Sequence, residues 1–231
     1  MLIALEAETR QLDAAGQDHW LAMLSPAERS RYQAMASASR QRSFLLGRVV
    51  LRSTLASQFG IQPGQVVIKQ EPGGRPFLGH PGWCFSLSHV EDQLVLVLAD
   101  QASAIGVDLE WPRGDRPWRR LAQRRLPESQ AQVVASAPLG AEAARFCTYW
   151  TLLEALAKAR GCSVLDASLH PQAEALVWQH CKPLPESTQQ CEAQWYWWHR
   201  VYDARHYSIV VLGDGALPVW QRWQPAPAAS G

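Results

Sequence analysis

The 231-residue chain has no apolar run long enough to cross a membrane as a helix, which takes about 20 consecutive apolar residues. It has no excess of either charge: 22 Lys and Arg against 21 Asp and Glu leave a formal net charge of +1. So balanced a chain exerts no global pull on nucleic acid or on an anionic membrane. Its start lacks the basic segment and unbroken apolar run of a secretory signal, because Glu6 and Glu8 interrupt the first apolar stretch. The five cysteines, Cys84, Cys147, Cys162, Cys181 and Cys191, lack the short paired spacings of disulfide or zinc frameworks. No P-loop occurs, and no segment repeats another. These absences point to a cytoplasmic protein with reduced thiols, and away from membrane, nucleic-acid and P-loop hydrolase functions. What is present, 47% hydrophobic and 19% charged residues, suits one large globular domain or two fused small ones.

Local signals divide the chain into two similar stretches. Ser25-Pro26-Ala27-Glu28 reads as a helix start, with Ser as N-cap, Pro at N1 and an acid at N3, leading a helix to about Ala36. A longer helix is expected over Ser39–Gln58, with Leu51, Leu55 and Phe59 on one face and Gly60 ending it. Strands are expected at Val66–Lys69, Trp83–Ser88, Gln93–Ala99 and Ala104–Glu110, the last two as an antiparallel hairpin. Trp111–Pro117 reads as a loop, followed by helices at Pro127–Ala137 and Ala141–Arg160, the latter closed by Gly161. Further strands are expected at Ala175–Trp178, Gln194–Tyr202 and His206–Leu212. Each half thus holds a long helix followed by strands. This predicts an α+β fold of two related subdomains, divided at 1–103 and 104–231, with a seam suited to a ligand.

Two acidic elements carry the chemistry. In Gly106-Val107-Asp108-Leu109-Glu110 the acids are two apart, so both carboxylates leave the same face of a strand end. Such a pair repels itself unless a cation or arginines sit beside it; Mg²⁺ takes hard oxygen ligands of this kind. In Trp150-Thr151-Leu152-Leu153-Glu154-Ala155-Leu156-Ala157-Lys158, Glu154 and Lys158 are one turn apart, while Phe146, Trp150, Leu153 and Ala157 form an apolar stripe. Taken singly, each element also fits a solvated strand end or a surface helix pair.

Together, in this order and roughly forty residues apart, they resemble the signature of the Sfp-type 4′-phosphopantetheinyl transferases. That signature is G-[IV]-D-[IVL]-E, then W-[ST]-x-K-E-[AS]-x-x-K. The match holds at Gly106, Asp108, Glu110, Trp150, Thr151, Glu154, Ala155 and Lys158, and fails at Leu153, where the family has lysine. Other segments resemble the family in the same order: Ser25–Arg31, Leu46-Gly47-Arg48 with Leu51-Arg52, Gly74-Arg75-Pro76-Phe77, and Phe85-Ser86-Leu87-Ser88-His89.

The resemblance implies two similar α+β halves related by a pseudo-two-fold axis, with coenzyme A as substrate in the cleft between them. It implies Mg²⁺ held by Asp108, Glu110 and Glu154, with Glu154 as candidate base for a carrier serine and Lys158 on the pyrophosphate. Arg31, Arg48, Arg75, Ser88 and His89 become the remaining candidates for binding the nucleotide. The stretch from Arg29 to Arg52 carries six arginines and no acid. The implied reaction moves the 4′-phosphopantetheine arm onto an acyl or peptidyl carrier protein, which would dock on the basic, Trp-bearing segment Arg113–Arg125. The alternative is a non-catalytic homologue that binds coenzyme A or a carrier protein, favoured by Leu153 alone. The fused two-half layout points to a monomer.

Overall fold

A computed structural model describes residues 1–12, 16–71, 76–114, 116–166, 169–171, 173, 189–191, 195–213 and 216–225. The expected strand Ala175–Trp178, residues 72–75 and the tail from residue 226 lie outside the described residues. The strands are β1 (Leu2–Glu8), β2 (Ile68–Gln70), β3 (Pro76–Leu78), β4 (Trp83–Val90), β5 (Gln93–Asp100), β6 (Ala104–Glu110), β7 (Gln189–Cys191), β8 (Trp195–Tyr202), β9 (Arg205–Leu212) and β10 (Val219–Arg222). The helices are α1 (Gln17–Ala22), α2 (Pro26–Gln33), α3 (Ala38–Phe59), α4 (Trp118–Arg125), α5 (Glu128–Ala135) and α6 (Glu142–Arg160). No helix among the described residues is long and apolar enough to cross a membrane.

The local signals act as their chemistry requires. Ser25 Oγ accepts from the Glu28 amide at 3.3 Å and Glu28 Oε2 accepts from the Ser25 amide at 3.0 Å, so the capping box at α2 is closed both ways. The long helices α3 and α6 both end on a left-handed glycine, Gly60 at φ 66° and Gly161 at φ 68°.

Strand order shows the relation between the halves. The first sheet runs β10-β1-β5-β4 and the second β6-β9-β8-β7. In each half a first strand precedes the long helix and then pairs antiparallel with the last strand of a hairpin: β1-β5-β4 around α3, β6-β9-β8 around α6. The two α+β halves therefore repeat one topology.

The sheets stack face to face. On β5, Leu94, Leu96 and Leu98 face the core under α3, whereas Val95, Val97 and Ala99 meet Ile105, Val107 and Leu109 of β6 and Tyr207, Ile209 and Val211 of β9. The order of layers is α3, first sheet, second sheet, α6. Being apolar on both faces, β5 reads as a continuous run rather than an alternating one. Each of its leucines, at most 1% exposed, contributes about 1.5–3 kcal/mol of burial.

One expectation is overturned. β5 and β6 do not form a hairpin, because β1 and β4 occupy both edges of β5. The chain turns at Gln101, with φ 56°, and β6 enters the facing sheet beside β9. Six elements were not legible in advance: β1, α1, β3, α4, β7 and β10. The last returns from the far end of the chain to pair parallel with β1. Trp223 just beyond it is buried among the first core, and its indole N–H donates to Ser53 Oγ at 3.1 Å.

β6 also faces α6, and here backbone meets backbone. A Cβ built on Gly106 would stand 1.9 Å from the Ala155 carbonyl oxygen and 2.7 Å from the Ala159 amide nitrogen. Neither atom can move without shifting the helix. Gly106→Ala is therefore expected to destabilise the protein by about 3 kcal/mol or more, the upper end of overpacking. A melting temperature within a degree of the parent would refute this packing.

Candidate active site

The close approach at Gly106 sets Asp108 beneath α6, where it is 5% exposed. Asp108 Oδ1 accepts from Lys158 Nζ at 2.7 Å and from Ser88 Oγ at 2.8 Å. Lys158 also donates to the Val107 carbonyl at 3.1 Å and to Ser88 Oγ at 3.2 Å. The first sheet reaches this point through β4, whose Ser86 Oγ accepts from the Val107 amide at 3.1 Å. Serine hydroxyls thus bridge the seam where β4 and β6 run side by side without a ladder.

The three acids are neighbours in charge. Burial, then the charges of Asp108 and Glu154, push the Glu110 carboxyl up to about 7, against Arg116 and a hydrogen bond from the Trp150 indole. Burial and then Asp108 also raise Glu154, which Lys158 partly offsets. Asp108 Oδ2 is buried without a hydrogen-bond partner among the described residues. An orphaned carboxylate oxygen between two carboxyls with raised pKa marks a place short of positive charge. The donor set, carboxylate oxygens alone, fits a hard cation such as Mg²⁺. The side chains are not gathered into a cage: no three of His, Cys, Asp or Glu form a metal-sized cluster among the described residues.

Beside the acids lies a cavity of about 860 Å³, bordered by Lys158, Ala157 and Cys162 on the α6 side and by Arg31, Phe44 and Arg48 from α2 and α3. Four of the expected site residues, Arg31, Arg48, His89 and Lys158, line it together. His89 sits at the exposed rim, where desolvation by its surroundings and then Lys158 hold its ring below the usual imidazole range. Ser88 is buried behind the wall, on Asp108 and Lys158. Arg75 lies outside the described residues.

The basic segment after β6 is partly neutralised within the chain. Arg113 pairs with Glu91 at 2.6 Å and stacks on Trp111, while Arg119 pairs with Glu142 at 3.0 Å. Arg116, Arg120, Arg124 and Arg125 are exposed.

Several contributors were not foreseen. Trp150 and Thr151 belong to the matched motif, but their tasks appear only in three dimensions. Trp150 donates to Glu110 and stacks on Phe146 at 5.8 Å, and Thr151 Oγ1 meets Ser208 Oγ at 2.8 Å. Ser208 in turn meets His199 Nδ1 at 2.9 Å, and burial holds that imidazole down at about 3, so it stays neutral. Burial likewise keeps Cys147 a thiol, pushed up to about 12 with help from Glu110.

Leu153, the departure from the family pattern, is 0% exposed and packs in the second core with Phe146, Leu152 and Leu156. Its position belongs to the apolar stripe. Leu153→Lys is expected to lower stability by several kcal/mol, since an unpaired buried ammonium has no compensating partner. Unchanged thermal unfolding with raised turnover would show that a lysine here reaches the phosphates instead.

The comparisons with known proteins agree on both halves. The family model described as 4′-phosphopantetheinyl transferase superfamily matches residues 104–212, and that described as 4′-phosphopantetheinyl transferase, N-terminal, matches residues 14–101. The chain is 35% identical over 144 residues to the 4′-phosphopantetheinyl transferase HetI of Nostoc sp., across 61% of this chain and 60% of that protein. It is 29% identical over 155 residues to a phosphopantetheinyl transferase of Thraustochytrium sp., across 61% of this chain and 54% of that protein. Against the 4′-phosphopantetheinyl transferase AcpT of Escherichia coli it is 29% identical over 177 residues, across 71% of this chain and 87% of that protein. The match therefore spans less than two thirds of the first two relatives and most of the third. With the two family models lying side by side over both halves, this chain belongs to the 4′-phosphopantetheinyl transferase superfamily.

Proposed function

We propose that the chain transfers the 4′-phosphopantetheine arm of coenzyme A to a serine of an acyl or peptidyl carrier protein, releasing 3′,5′-ADP. The observation that carries this reading is the set of mutually repelling carboxylates, Asp108, Glu110 and Glu154, beside a large cavity whose opposite wall is arginine. In the reaction the serine oxygen bonds to the phosphorus bearing the pantetheine arm. The bond from that phosphorus to the bridging oxygen breaks, and its electron pair leaves with 3′,5′-ADP.

Asp108, Glu110 and Glu154 would hold Mg²⁺, which when bound neutralises charge on the pyrophosphate oxygens. Glu154 accepts the serine proton, directly or through water. Lys158, a flexible point charge resting on Asp108, exchanges that partner for the pyrophosphate. Arg31, Arg48, Arg75 and His89 hold the nucleotide, and Ser88 keeps Asp108 and Lys158 in place. The same reading takes the protein as a cytoplasmic monomer, which light scattering on the eluting protein tests. It divides the chain at 103/104 into two subdomains, although residues 219–222 pair with the first sheet.

Carrier docking is assigned to Arg113–Arg125, which leaves β6 directly after Glu110. Carrier proteins are acidic around their serine, so an exposed basic helix steers the encounter. Because Arg119 also ties α4 to α6 through Glu142, the informative changes are at its exposed neighbours. Arg120→Glu with Arg124→Glu is expected to raise KM for the carrier severalfold and leave KM for coenzyme A unaltered, with a rate that falls as salt rises. Equal changes in both KM values would remove this surface from consideration.

The direct test of the reaction is the mass of an apo-carrier after incubation with the protein, coenzyme A and Mg²⁺. A gain of one phosphopantetheine is expected. Asp108→Ala is expected to cut the rate by roughly a hundredfold or more with the fold retained. Tight coenzyme A binding with no mass gain on any carrier would support the non-catalytic alternative, and near-parental turnover of Asp108→Ala in saturating Mg²⁺ would reject the metal assignment.

A further inference from the structure

Glu28 belongs to a matched motif yet has no part in the chemistry above. It is nonetheless shared among three partners. Its Oε2 accepts from the Ser25 amide at 3.0 Å and from Arg52 Nη2 at 2.7 Å, and its Oε1 lies 2.9 Å from Arg48 Nε. Burial opposes its ionisation, but the Ser25 amide and the two guanidinium groups prevail and hold the carboxyl below the ordinary range.

The two arginines, one helical turn apart on α3, have different tasks. Arg52 is 2% exposed, and its other terminal nitrogen donates to the carbonyls of Pro63 and Val66 at 3.0 and 2.8 Å. It is a structural cation that fixes Glu28. Arg48 is 6% exposed and borders the cavity, with its guanidinium 5.0 Å from the centre of the Phe44 ring. Glu28 holds it by charge at Nε, an ion pair without a hydrogen bond, on the edge away from the two terminal nitrogens. Arg31 lies over the same Phe44 ring at 5.5 Å. One carboxylate thus faces Arg48 and Arg52 with Arg31 close by, and the surplus is positive and lies at the cavity wall.

Coenzyme A carries two separate anionic groups, the pyrophosphate and the ribose 3′-phosphate. With the pyrophosphate assigned to Lys158 and the acids, the 3′-phosphate needs a countercharge elsewhere on the wall. We propose that Glu28 is a positioning residue for the nucleotide: it anchors the Nε edge of Arg48 so that the terminal nitrogens meet the 3′-phosphate, while Arg52 keeps Glu28 from shifting. A planar guanidinium is suited to this, because one edge can be held while the other makes paired bonds to phosphate. The proposal rests on coenzyme A as the ligand of the cavity.

Calorimetric titration of the full chain with coenzyme A and with dephospho-coenzyme A, which lacks only the 3′-phosphate, tests it. The parent protein is expected to prefer coenzyme A. Glu28→Gln keeps the size and the capping acceptor but gives up the charge. It is expected to lose roughly tenfold in affinity for coenzyme A with affinity for the dephospho form unchanged. Arg48→Lys, which keeps the charge and leaves Glu28 a partner, is expected to show the same selective loss and decides the matter if Glu28→Gln does not fold. Losses equal for the two ligands, or an unchanged preference in both variants, would reduce Glu28 to a folding role and overturn the proposal. A parent protein that binds both ligands equally would overturn it as well, leaving the transferase reading intact. A parent that binds neither would defeat the coenzyme A reading itself.

Discussion

The site depends on one contact without a side chain. At Gly106 the strand β6 lies so close to α6 that no Cβ fits between them. That distance lets Lys158 reach Asp108 and brings Glu154 within the field of Asp108 and Glu110. One residue of greater bulk would lift the helix, and with it the glutamate and lysine of α6, away from the carboxylates of β6. The acids are buried at a cost, which Lys158, Ser88 and the Trp150 indole offset in part. The remaining deficit of positive charge is what makes the place suited to a cation.

The repeated topology explains why the site lies where it does. Each half is a three-stranded unit wrapped on one long helix, and neither sheet alone is covered on both faces. Stacking the sheets buries the inner faces of β5, β6 and β9 together, and it brings β4 alongside β6. At that edge the strands do not form a ladder. Ser86 and Ser88 take its place, so the seam is polar where it borders the cavity. The return of β10 to β1, with Trp223 set into the first core, adds a second tie between the two ends of the chain.

Charge is distributed to match a ligand with two anionic centres. The chain as a whole is near neutral, but α2 and α3 turn arginines toward the cavity, while Lys158, resting on Asp108, borders it from α6. Glu28 moderates the arginine end without neutralising it, since it is shared between Arg48 and Arg52. The departure at Leu153 fits the same picture: the side chain has joined the apolar core, and the positive charge beside the acids comes from Lys158, on the face it shares with Glu154.

Much of this was legible in the sequence, for local reasons. The helix α2 carries its own capping box, α3 and α6 carry apolar stripes and terminal glycines, and the α+β class followed from these helices and the strand patterns. Asp108 and Glu110 share a face because strand residues two apart must, and Glu154 and Lys158 share one because helix residues four apart must. Other features could not be read locally. β1 carries alanines and glutamates that favour helix, and only pairing on both edges makes it a strand. The spacing of β5 and β6 imitates a hairpin, and only the prior claim of β1 and β4 on the edges of β5 forbids it. The sequence reads Trp111–Pro117 as a loop and marks no element just after it, whereas packing of Trp118 and Leu121 on the second core forms α4 there. The sequence by itself determined which residues share a face and which motifs the chain holds, because periodicity and motif spacing are properties of the chain. Only the tertiary structure decided which of them meet, because the approach at Gly106, the Trp150–Glu110 bond and the sharing of Glu28 join residues whose separations along the chain carry no signal of contact.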